Sequence, residues 1–147
     1  TVTRLNFGKT DVVQMLNGCI GGLVAITAEP LMPSPLAAIL IGAVGGIIVV
    51  YGTKLLFTLK IDDVVGAIPA HLFAGIWGTL AVPITNPDTS FGTQLLGVVS
   101  INVFVFVVAL IVWSIMKATI GIRFSKEAGT KGTDVTETGV IAYATRD

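Results

Sequence analysis

One side chain suited to proton chemistry, His71, stands inside an apolar stretch of this chain, and it is the single histidine among 147 residues. An imidazole changes charge near neutral pH, so it can take up or release a proton where other side chains cannot. In hydrocarbon surroundings such a group is costly and calls for a partner. Counting eight residues from Asp63 at about 1.5 Å each puts His71 about 12 Å along a helix. That is close to the midplane of a bilayer core about 30 Å thick. Three chemistries fit: a structural hydrogen bond to another helix, haem ligation, for which a second histidine is missing here, and proton or substrate handling in a polar pathway. Residue type alone leaves all three open. Asp62 and Asp63, just ahead of the stretch, are placed to cap a helix N-terminus, where carboxylates accept free N–H groups. Cys19 is alone in an apolar stretch, which argues against a disulfide framework or a metal site, and no cofactor is expected.

The elements that must position these residues are four apolar stretches, residues 12–28, 36–53, 64–84 and 95–116. All nine Lys and Arg residues fall outside them. Arg4 and Lys9 precede the first; Lys54 and Lys60 lie between the second and third. Lys117, Arg123, Lys126, Lys131 and Arg146 follow the fourth. The connections 29–35 and 85–93 carry no Lys or Arg. If each stretch crosses a bilayer once, every cation lands on one side, the bias that keeps basic loops cytoplasmic. The expectation is an all-α, multi-pass protein of the cell membrane, embedded in lipid, with both ends of this chain cytoplasmic.

Composition agrees: 53% hydrophobic residues, 12% charged and a mean hydropathy of +0.88. A span needs roughly 20 helical residues, with about 17 tolerated, and the first stretch meets this only marginally because it holds Gln14 and Asn17. A soluble bundle is the disfavoured alternative. Nine acidic against nine basic residues argue against a nucleic-acid surface. The chain opens at Thr1 with no secretory pattern, so it reads as a piece of a longer protein, and residues 117–147 read as a cytoplasmic tail.

Small residues recur at fourfold spacing: Gly18 and Gly22, Gly42 and Gly46, then Gly66, Ala70, Ala74 and Gly78. In lipid, close backbone approach at such positions supplies packing that hydrophobicity cannot. On a wheel of about 100° per residue, Gly66, Ala70, Ala74, Gly78 and Ala81 share one face and His71 falls at its edge. His71 is therefore expected to point toward neighbouring helices. Pro69 cannot donate to the Val65 carbonyl and is expected to kink the helix near this depth. The fourth stretch, with little glycine, is expected on the outside of the bundle.

The run from Lys60 to Leu80 resembles the ammonium transporter family (Amt/Mep/Rh), with Asp62-Asp63 before a helix carrying His71-x-x-x-Gly75-x-x-Gly78. Gly8-Lys9, the run from Met15 to Gly18, and that from Gly22 to Thr27 look like an earlier helix of that family. The run from Pro35 to Gly42 resembles the next one. Ile120 to Arg123, Gly132-Thr-Asp134 and Ala142-Tyr143 are similar to its cytoplasmic C-terminus. The resemblance extends over essentially all 147 residues in order.

The resemblance implies a non-enzymatic transporter of ammonium/ammonia with eleven helices per protomer, of which this chain supplies the last four and the tail. It implies a homotrimer, inverted repeats with a pore near the midplane, and a possible PII-type regulator at the tail. His71 would be the second of two pore histidines. Asn17 would line the inner vestibule and Thr27 would sit near the outer end of the pore. An ideal helix separates those two by about 80° and about 15 Å. Some relatives have a further Asp where Gly66 stands, so no inner carboxylate can be assigned there. The alternative is an ammonium-sensing membrane protein that keeps the fold and signals through a partner or fused domain.

Overall fold

The computed structural model describes residues 2–31 and 33–142, and its elements are helical throughout. They are α1 (Val2–Phe7), α2 (Val12–Ile26), α3 (Pro35–Thr58), a π-helical segment (Ile68–Phe73) continued by α4 (Ala74–Thr85), α5 (Phe91–Thr119), α6 (Lys126–Lys131) and a π-turn (Asp134–Thr138). Arg146, Tyr143 and Asp147 lie outside the described residues. The chain divides into two units, Thr1–Asn102 and Val103–Asp147.

Among the described residues, three helical runs are long and apolar enough to cross a membrane: Pro35–Thr58 with 24 residues, Ile68–Thr85 with 18 and Phe91–Thr119 with 29. The helix α2 is apolar but shorter, with 15 residues. Its start is set by Asp11, whose carboxylate accepts the Gln14 N–H at 3.0 Å. Likewise Ser34 accepts the Ala37 N–H at 3.3 Å, and Pro35 takes the first position of α3, where its missing N–H costs nothing. The helix α3 runs past residue 53 to Thr58, so Lys54 stands in its last turns rather than in a connection.

The first unit is built on the crossing of α2 and α3. A Cβ placed on Gly22 would lie 3.1 Å from the Gly42 carbonyl oxygen, and one on Gly46 would lie 3.1 Å from that of Gly18. The two backbones therefore touch along the glycines, the contact that lipid-embedded helices use in place of a hydrophobic drive. The third helix packs on both. Ala70, Ala74, Gly78 and Ala81 are buried along its inner side. A Cβ on Gly78 would run into the Ala25 carbonyl. Trp77 ties the same helix to α3 by donating its Nε1–H to the Ile41 carbonyl at 3.1 Å.

Gly66 departs from the expected small-residue face. The helix begins at Ile68, and Gly66 precedes it with φ of 74°, a conformation that costs glycine little because it has no Cβ. It is buried against Asn17, not against a helix crossing.

In the second unit, Gly121 (φ 78°) closes α5 by donating its N–H to the Met116 carbonyl at 3.0 Å. Ser125 caps α6 through the Ala128 N–H at 3.1 Å, and Ala128 is buried. Lys131 pairs with Glu127 at 2.6 Å on an exposed face, an ion pair of small net value. Asp134 reaches across the following turn, its carboxylate accepting the Ala142 N–H at 2.9 Å. That bond, with a second from the Val135 N–H, holds the Asp134 carboxyl below its ordinary pKa.

Candidate functional site: the groove beside His71

A sharp change of backbone precedes His71. Asp63 accepts the Ala67 N–H on Oδ1 and the Ile68 N–H on Oδ2, both at 2.9 Å, so this carboxylate caps the helix. Asp62 forms no hydrogen bond among the described residues. Pro69 is then the second residue of the helical segment, where a missing N–H is harmless. It marks the start of the helix, not a kink within it. The eight-residue helical count from Asp63 to His71 does not apply, because the segment before Ile68 is a turn.

The first helical turns are wide. The Ala74 N–H reaches back five residues to the Pro69 carbonyl as well as to that of His71. Such a π-turn underwinds the helix, and π-turns occur often at functional sites. Azimuths counted at the ordinary helical angle therefore do not carry from His71 to Gly78. The result is a parting of the two residues: Gly78 is buried against Ala25, and His71 is exposed. His71 therefore lies off the buried face that packs on α2 and α3, and the helix it faces is α5.

His71 instead lines an open groove of about 330 Å³. Leu72, Gly75, Ile76 and Thr79 form one wall with it, and Gln94, Gly97, Val98, Ile101 and Asn102 of α5 form the other. Among the described residues the imidazole has no hydrogen-bond partner, so the structural-link reading finds none within this chain. The groove combines an apolar lining with a few polar groups, the composition of a small-molecule path more than of a charged site.

Asn17 and Thr27 do not join this groove. Asn17 donates its Nδ2 to the Val65 carbonyl at 2.7 Å, on the turn that leads into His71. Thr27 donates to the Leu23 carbonyl of its own helix at 2.8 Å and lines a separate apolar hollow with Ile26, Pro30 and Pro33. Sequence reasoning missed Gln94 and Asn102. Their signal was present, since each is a polar amide at the edge of or inside the most apolar stretch, but only the fold brings them opposite His71.

Among the described residues, three membrane-length apolar helices, one of them packed glycine to glycine against the shorter α2, define a polytopic membrane protein. A sequence profile of the Ammonium Transporter Family matches residues 1–143. The chain belongs to the ammonium transporter family. It is 37% identical to ammonium transporter Amt2 of Archaeoglobus fulgidus over 97% of this chain and 35% of that protein. It is 40% identical to a putative ammonium transporter of Synechocystis over 91% of this chain and 31% of that protein. With the ammonium transporter of Bacillus subtilis the figures are 30% identity, 92% of this chain and 37% of that protein. The chain thus spans about a third of the length of the relatives it matches.

Proposed function

We propose that the complete protein carries ammonium or ammonia across the cell membrane, and that His71 lies on the path. The observation that carries this reading is an imidazole on the wall of an open, largely apolar groove, without a hydrogen-bond partner among the described residues, in a chain of this family. A bare ammonium ion in apolar surroundings is prohibitively costly, whereas neutral ammonia is a small polar solute. Releasing the proton at the mouth and passing ammonia along a narrow line lowers that cost. An imidazole can offer ammonia a donor or an acceptor and can relay a proton separately.

In this reading the chain is the last part of an eleven-helix protomer, and helices outside it close the open side of the groove. The protomers form trimers, and a PII-type regulator binds at the cytoplasmic tail. Both ends of the chain are cytoplasmic, because that arrangement puts every Lys and Arg on one side. Uptake by the complete protein in cells lacking other ammonium transporters tests the proposal. Ammonium-dependent signalling without uptake would favour a sensor built on the same fold.

A further inference from the structure

We propose that Asn17 is a positioning residue for His71, holding from the neighbouring helix the turn on which the imidazole is mounted. This rests on the reading of His71 as a pathway residue. In a regular helix the Val65 carbonyl would receive the N–H of the residue four positions on, which is Pro69 and has none. Among the described residues its partner is the Asn17 side chain, Nδ2 to oxygen at 2.7 Å.

The same amide occupies the space beside Gly66. A Cβ on residue 66 would collide with Asn17 Nδ2, and φ of 74° at that position already favours glycine. Gly66 and Asn17 are thus complementary in shape as well as in hydrogen bonding. The Gly66 carbonyl in turn accepts the Ala70 N–H at 3.2 Å, and Asp63 takes the N–H groups of Ala67 and Ile68. Backbone groups on both sides of Gly66 are therefore fixed immediately before His71. Asp63 belongs to the turn itself. Among the described residues, Asn17 alone anchors the turn to another helix by a hydrogen bond.

A π-turn has poorer intrinsic support than an α-turn and persists where its surroundings fix it. Losing the Asn17 donor leaves the Val65 carbonyl to seek another partner, and the simplest response is a rotation of the turn that carries residue 71. Asn17 is not among the residues that line the groove, and among the described residues it forms no hydrogen bond with His71. It acts through Val65, Gly66 and Ala70.

The test uses the complete protein with Cys19→Ser and His71→Cys, and reads the rate at which a small thiol reagent labels position 71, with Asn17 present or replaced. Asn17→Asp keeps the shape but sets an acceptor against the carbonyl; Asn17→Ala leaves a gap and serves if the first does not insert. The expected result is a several-fold change in labelling rate at unchanged membrane abundance. In the His71 protein, the same substitutions are expected to lower uptake about tenfold or more and to shift its pH profile, as misplacement of a reacting group does. Unchanged labelling in well-inserted Asn17→Asp or Asn17→Ala protein overturns the proposal. Should His71→Ala leave uptake intact, the pathway reading fails instead, and the positioning claim falls with the role it supports, even where labelling shows that the turn has moved.

Discussion

Asn86 donates its side-chain amide to the Glu29 carboxylate at 3.0 Å, joining two connections 57 positions apart. These are the two that contain no Lys or Arg. A second bond, Asn6 Nδ2 to the Tyr51 hydroxyl at 3.2 Å, links α1 to the later turns of α3, near Lys54. The fold thus gathers the cation-free connections with one bond and draws the basic lead-in toward the basic end of α3 with the other.

That sorting sets the orientation expected in a membrane. Substituted Ser34→Cys and Thr89→Cys should react with an impermeant thiol reagent added outside, and Lys60→Cys should react only after the cytoplasmic side is opened. Labelling of positions 34 and 89 solely from the cytoplasm would invert the orientation.

Gly78 packs directly on the Ala25 backbone, and a side chain there has no space to enter. Gly78→Leu should part α4 from α2 and destabilise the protein by about 1–3 kcal/mol or more, as overpacking does. The midpoint of detergent- or heat-induced unfolding checks this, with Gly97→Ala as control, since nothing lies within 4 Å of a Cβ on Gly97. Equal midpoints for the two variants would refute the close crossing.

The tail carries its own pH dependence. The Ala142 N–H lowers the Asp134 pKa in the folded tail, so this contribution is present above the ordinary carboxyl value and fades as pH falls through the lowered one. Amide exchange of Ala142 should therefore be slowed at neutral pH, lose its protection in acid, and be fast at every pH in Asp134→Ala. Equal exchange in both proteins at neutral pH would show that the bond does not form in solution.

Much of this was legible in the residues, and the limits have physical causes. Ser34 and Pro35 announce the start of α3 because a cap and a proline belong at one end only. The small residues Ala74, Gly78 and Ala81 share a face because they lie in one regular helix, whose spacing puts them there. Adjacent carboxylates are a different matter: Asp62 and Asp63 have the same local preference, and the backbone turn alone selects Asp63. Gly66 fits a helical series as well as a left-handed turn, so its role depends on Asn17, 49 positions earlier. The groove was illegible for the same reason, since Gln94 and Asn102 meet His71 only through the return of α5. Pro69 signalled an interruption, but not that the helix would begin there.

The central claim is that His71 serves passage rather than assembly. The most direct measurement is uptake of labelled methylammonium by the complete protein and by its His71→Ala variant, in cells lacking other ammonium transporters, with membrane abundance measured alongside. Removing a pathway group that lowers the barrier by about 1.4 kcal/mol or more should reduce the rate about tenfold or more while abundance stays near wild type. Uptake and selectivity equal to wild type in the His71→Ala protein would contradict the account.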